Sequence, residues 1–293
     1  MTDPQPRRNW ARGSNEYVKR PGTSDAPGEM AESAVELPSI DVTDPVDARH
    51  LEDFGITWRP FDVDQIKASG LDRARHRFRA HLPDLIWNTA ALEGNNFTLP
   101  EVRTLLDGVT VGGKRLDDEQ QILALSEGYS RLDEMLGSGK FSFDKAVSDE
   151  LHGIIARHEE LEAGHFRGEG NVTGGGNIQL SSGGTVPGTE HGEGGEELRG
   201  HYRNMLDGLA EIEDPRKRAL IYFASATRRQ LYFDGNKRTA RLMMAGELMS
   251  HGYDMVSVPY ARKLEFHTAL DRMFTTDDAT PLLAFLATCT IDN

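Results

Sequence analysis

Cysteine is almost absent from this chain. A single residue, Cys289, stands near the C-terminus, so no internal disulfide can form, which fits a reducing compartment. The expectation is a small apolar residue in a terminal helix. Long apolar runs are missing too: nothing approaches the roughly 18 residues that a membrane span needs. The first residues carry arginines but no apolar h-region, so a secretory signal is not expected. Positive charge is in short supply, with 33 Lys and Arg against 47 Asp and Glu and a net charge of −14. That balance argues against broad nucleic-acid binding, though it leaves room for a local basic pocket. Internal repeats and heptad arrays are absent. What is there is a chain of 293 residues, 38% hydrophobic. It is long enough for one large or two small domains with a proper core.

Residues 1–45 are rich in Pro, Gly, Ser and charge and read as a disordered tail. Order is expected to begin near FGITWRPFD, 54–62. From there the texture is helical. Residues 62–82 predict one broken helix with Ile66, Leu71 and Phe78 apolar, and a second helix runs from Pro83 to Gly94. Thr98 and Glu101 fit a capping box opening the next helix, with Pro100 in its first turn. Ile122, Leu125, Tyr129, Leu132 and Leu136 then form one stripe, and residues 143–158 repeat the pattern. Asp214 and Pro215 open a helix. The following one places Ala240, Met243, Met244 and Leu248 on one face and ends at Gly252. One or two helices cover 260–288. The fold class read from this pattern is all-α.

The texture breaks at 164–200, which is dense in glycine. Only NIQLS, 177–181, reads as a short strand. A loop this long inside a domain is more often functional than accidental.

The richest segment is QLYFDGNKRTAR, 230–241. Asp234, Gly235 and Asn236 form a tight turn between two helices. A helix N-terminus presents unpaired N–H groups and partial positive charge, so it attracts anions. Gly235 lets the backbone approach a ligand. Lys237, Arg238 and Arg241 add formal charge. Arg238 and Arg241, three apart, can hold different phosphates of one polyphosphate. Asp234 at the mouth of this nest suits Mg²⁺ beside phosphates. From spacing alone, an ordinary turn with basic residues on a solvated face explains the segment equally well.

The segment resembles the signature of Fic-domain proteins, His-x-Phe-x-Asp/Glu-Gly-Asn-Gly/Lys-Arg-x-x-Arg. Asp234, Gly235, Asn236, Arg238 and Arg241 match, and Tyr232 replaces Phe. A second resemblance lies upstream in TAALEG, which is similar to the family's inhibitory helix motif through Thr89, Glu93 and Gly94. The resemblance implies that Glu93 pairs with Arg241 and keeps the γ-phosphate of ATP from its productive pose. It also implies that the glycine-rich stretch at about 164–190 is a β-hairpin flap. There Asn177, Ile178, Gln179 and Leu180 would dock a target by strand addition. The implied architecture is a Fic-type helical domain with a short flap. It divides into the tail at 1–45, a helical region at 46–110 holding the inhibitory helix (about 84–94), and the Fic core at 111–293 with the signature loop at 230–241.

The departure is at the first position. The family's histidine takes the proton of the attacking hydroxyl, a task suited to a pKa near about 6.5. Here Gln230 stands in its place and cannot take a proton. Losing a general base costs on the order of 10²–10⁴ in rate. His165, His191 and His201 have no sequence reason to lie near Asp234. Lys237 is a second departure, since most AMP-transferring members have glycine there.

The resemblance thus implies ATP and Mg²⁺ binding and transfer of AMP to a protein hydroxyl, restrained by Glu93 and weakened or altered by Gln230. Two alternatives stay open: a nucleotide-binding regulator without transfer activity, and phosphate transfer of the kind seen in the related death-on-curing toxins. The expected partner is a protein substrate or regulatory protein, with no nucleic acid and no membrane, in the cytoplasm.

Overall fold

Local capping chemistry sets where each helix begins. The computed structural model describes residues 43–160 and 162–291. The expected tail lies outside the described residues up to residue 42. Helix α1 (Pro45–Phe54) precedes the 54–62 stretch where order was expected to begin. Asp44 accepts the Val46 N–H at 2.8 Å and Gly55 closes the helix in the left-handed region. Its last residue, Phe54, packs on Gly208, where a Cβ would come within 2.6 Å of the ring.

The broken helix expected over 62–82 is corrected: helix α2 covers only Leu71–Ala80. Asp62 takes the Asp64 N–H at 2.7 Å, and Ile66 bonds back to Val63. Such side-chain bonds offer the backbone an alternative to helix. Ile66 is buried all the same, so its apolar signal reports the core and not a helix.

Helix α3 (Leu82–Leu92) ends at Glu93, with Gly94 at φ 92°. Helix α4 (Leu99–Leu106) opens on Thr98, whose N–H donates to the Glu101 carboxylate at 2.8 Å. Helix α5 (Leu116–Gly137) buries its whole predicted stripe. Helix α6 (Lys145–Ile155) is capped by Asp144 on the Val147 N–H. The glycine-rich stretch holds strands β1 (Ile178–Gln179) and β2 (Thr185–Val186), which pair antiparallel with Ile178 opposite Val186. Helices α7 (Glu196–Ala210), α8 (Pro215–Arg229), α9 (Asn236–Ser250), α10 (Lys263–Thr276) and α11 (Thr280–Ala287) complete the described chain. Cys289 lies just beyond α11 rather than within a helix, and is buried.

Among the described residues the fold is all-α with one two-stranded hairpin. Its centre is the pair α8 and α9, with α5, α6 and α2 packed on α9. Sequence periodicity gave α9 one apolar face. In the structure it is buried nearly all round, with Lys237 half-buried and Ser250 exposed. The second face is buried because its polar residues, Arg238, Arg241 and Glu247, find charged partners.

Candidate functional site

The turn between α8 and α9 is held by side-chain amides. Helix α8 stops at Gln230, which takes the left-handed conformation (φ 50°, ψ 61°). Asn236 accepts the Tyr232 N–H at 2.8 Å and donates to the Tyr232 carbonyl at 2.7 Å. It also donates to Gln230 Oε1 at 3.2 Å, while Gln230 Nε2 donates to the Thr227 carbonyl at 2.7 Å. Both ends of the Gln230 amide are therefore spent inside the turn.

Gly235, at φ 69°, is required twice over: by its backbone angle and because a Cβ would sit 3.2 Å from His152 Nε2. His152 is fully buried and stacks on Tyr232 with ring centroids 3.7 Å apart. Its Nδ1 accepts the Gly164 N–H at 2.9 Å, so Nε2 carries the hydrogen and donates to the Asp234 carbonyl at 3.0 Å. Arg167, 2% exposed, ties the base of the flap to the same turn. Its guanidinium donates to the carbonyls of Gln230, Gly175 and Thr189. Burial pushes its pKa below the ordinary arginine value.

The three cations of the signature do not stand free. Glu93 Oε1 accepts from Arg241 Nη1 at 3.0 Å, and its Oε2 lies 3.1 Å from Lys237 Nζ. Burial works to raise the Glu93 pKa, but Lys237, Arg241 and Arg238 outweigh it and hold the carboxyl at about 2. Arg241 is buried with its Nε and Nη2 lacking any partner, and its guanidinium lies 5.3 Å from the Phe266 ring centre. Thr89 does not reach Glu93's partners; its hydroxyl bonds Tyr129 at 2.9 Å inside the core. Arg238 is 3% exposed and engages Glu159 through both terminal nitrogens, at 2.5 and 2.8 Å. Burial alone would lower its pKa; Glu159 and Asp234 raise it instead. Asp234 is 65% exposed, its Oδ1 accepting the Gly235 N–H at 2.6 Å.

Sequence reasoning missed the partner of Arg238 and the acceptor of the turn's own N–H groups. Glu159 and Glu160 follow α6, and no spacing rule ties that acidic pair to residues 233–238. Glu160 accepts the N–H groups of Phe233 and Asp234 at 3.0 and 2.9 Å. His152 and Arg167 carried no legible signal either. His165 is exposed, and His191 bonds the neighbouring Gly192 carbonyl. His267 on α10 feels the charges of Glu93, Lys237 and Arg241, and burial lowers its pKa. Among the described residues no group of three or more His, Cys, Asp and Glu is arranged to hold a metal. A cavity of about 330 Å³ between α1 and α7, lined by His50, Phe54 and Trp58 among others, shares no residue with 230–241.

In the flap, Ile178 is buried, Leu180 half-buried, and Asn177 and Gln179 exposed. Its turn is clamped to α10. Asp271 accepts from the Ser181 N–H at 3.0 Å, the Ser181 hydroxyl at 2.7 Å and the Ser182 N–H at 2.8 Å.

No model of a protein family matches the chain. It is similar to the protein adenylyltransferase Fic of Drosophila ananassae, 25% identical over 257 residues, which cover 86% of this chain and 48% of the relative. It is likewise similar to the protein adenylyltransferase Fic of Aedes aegypti, 26% identical over 209 residues, or 70% of this chain and 39% of the relative. The chain thus spans about half the length, or less, of these curated relatives. Among solved structures it shares its fold with a Fic domain containing signaling protein from Bacteroides thetaiotaomicron (TM-score 0.62, 19% identity, 78% of this chain and 88% of that one). It also shares it with Fic-1 from C. elegans (TM-score 0.59, 20% identity, 75% and 67%).

Proposed function

We propose, starting from the fact that this chain is a Fic domain protein, that it binds magnesium-bound ATP at residues 234–241 and transfers AMP to a hydroxyl of a target protein, in a site restrained by Glu93. The observation that carries this is the Glu93 carboxylate, set between Lys237 and Arg241 from a helix far away in sequence.

The residues fit a polyphosphate. Helix α9 opens at Gly235 without a side-chain cap, and the first N–H groups of a helix have no partner within it. Arg241 is buried with two nitrogens unpartnered, a deficit that phosphate oxygens would fill. Asp234, exposed at the mouth, is the residue to hold Mg²⁺ jointly with phosphate oxygens, since Mg²⁺ is commonly bound through one or two carboxylates plus phosphates. Bound ATP supplies the activated α-phosphate and its leaving group. The chain positions it through Lys237, Arg238 and Arg241, and presents a target strand along Ile178–Gln179. The relatives are named protein adenylyltransferases, which supports a protein as acceptor.

Gln230 favours a second reading, a nucleotide-binding regulator without transfer. Its amide is committed to Thr227 and Asn236 and has no basic group to accept a proton. The experiment uses α- and γ-labelled ATP with Mg²⁺ and a mixture of cellular proteins. In Glu93→Gly, protein-bound α-label is expected, and adding Gln230→His raises its rate by about 10²–10⁴. Label that appears only with Gln230→His establishes the regulator instead, and γ-label alone establishes phosphate transfer. Failure of magnesium-bound ATP to bind in calorimetry both to Glu93→Gly and to the same chain also carrying Glu159→Gln overturns the nucleotide site itself.

A further inference from the structure

Glu159 and Glu160 come from the segment after α6, unrelated in sequence to Glu93. Glu159 grips Arg238 with both oxygens, at 2.5 and 2.8 Å, in a fork-to-fork pair on a guanidinium that is 3% exposed. Glu160 places its two oxygens on successive backbone N–H groups, of Phe233 and Asp234. Adjacent amides converging on one oxyanion form an anion nest. A carboxylate sits in it here, its side chain 2% exposed and 3.3 Å from His152 Nε2.

We infer that the Glu159–Glu160 pair is a second acidic lock on the nucleotide site, independent of Glu93. One carboxylate withholds Arg238 and the other occupies the amides of the turn, so a bound polyphosphate must displace both. The inference rests on the nucleotide reading above and deepens it. Charge makes the same point. Lys237, Arg238 and Arg241 face the carboxylates of Glu93, Glu159 and Asp234, and the Glu160 carboxylate sits on the N–H groups of the same turn. The negative charges outnumber the positive, and magnesium-bound ATP is itself an anion. Removing Glu93 brings the cluster to balance. Removing Glu159 as well leaves it positive and frees the Arg238 fork, which suits phosphate oxygens as well as it suits a carboxylate. Relief of Glu93 alone therefore gives a half-open site.

The opposite role for Glu159 is to hold Arg238 in its working position. The two roles predict opposite signs. Calorimetry with magnesium-bound ATP compares the full chain carrying Glu93→Gly with the same chain carrying Glu93→Gly and Glu159→Gln. The lock requires binding at least tenfold tighter in the double variant. Equal or weaker binding overturns it while leaving the nucleotide site standing. If neither variant binds, the nucleotide reading fails and the lock with it. A second readout needs no change at Glu159 and so survives misfolding of that variant. In Glu93→Gly, the Arg238 side-chain N–H resonance, assigned by its loss in Arg238→Lys, must shift when magnesium-bound ATP saturates the protein. A resonance that stays in place means that Glu159 never lets go, and the lock is wrong.

Discussion

Glu93 illustrates how one side chain ties stability to the proposed restraint. Its carboxyl sits at about 2 in the fold against an ordinary value of 4.5. Between those values the unfolded chain binds the proton and the fold does not. The stabilisation from its contacts with Lys237 and Arg241 is thus complete above pH 4.5 and drains away as the pH falls towards 2. Its upper bound is about 3 kcal/mol. Urea unfolding is expected to show the wild-type midpoint falling more steeply than that of Glu93→Gln between pH 5 and pH 3. Parallel slopes would mean that the ion pair adds nothing. Gly235 is the other residue on which the turn depends. Gly235→Ala forces a side chain into φ 69° and against His152, and is expected to destabilise by about 1–2 kcal/mol in chemical denaturation. The glycine was legible in sequence as a close-approach position. The imidazole that makes the approach close was not, because residues 152 and 235 meet only when α6 packs on α9.

Among the elements, the flap shows how a strand too short to be stable alone is held. Two residue pairs make its whole ladder, and an isolated hairpin of that size is marginal in water. Arg167 anchors its base to the signature turn and Asp271 anchors its tip to α10. Asp271→Ala is expected to raise amide exchange at Ser181 and Ser182 at least tenfold with little change in global stability. Unchanged exchange would show that the tip does not depend on α10. Sequence patterning read NIQLS as a short strand and the family resemblance implied the hairpin, but neither clamp was legible, since both reach across more than 20 residues of chain or between separate elements. The 62–82 stretch failed in the opposite direction. Its apolar spacing was real, yet Asp62 and Gly70 turned the first part into a largely exposed loop that buries only Val63 and Ile66.

For the whole molecule, ligand binding and folding are one equilibrium. A nucleotide that binds only the folded chain stabilises it by about 2.7 kcal/mol at a hundred times its Kd. Magnesium-bound ATP is therefore expected to raise the Tm of Glu93→Gly by several degrees and that of the wild type by little. A large shift in the wild type would mean that Glu93 is no restraint. No helix among the described residues is long and apolar enough to cross a membrane.

The sequence by itself determined the helical class, the capping box of Thr98 and Glu101, the cap at Asp214, and the turn at 234–236. Each rests on residues a few positions apart, where backbone geometry dictates who can meet. It also pointed, through a family resemblance, to Glu93 opposite Arg241. Only the tertiary structure decided the charge state of the site. Whether Arg238 is open or occupied depends on Glu159 arriving from another element. Whether Gln230 can face a substrate depends on Asn236 and Thr227 claiming its amide. Electrostatics and hydrogen bonding act through space over a few ångströms, and no periodicity along the chain encodes which distant groups come that near.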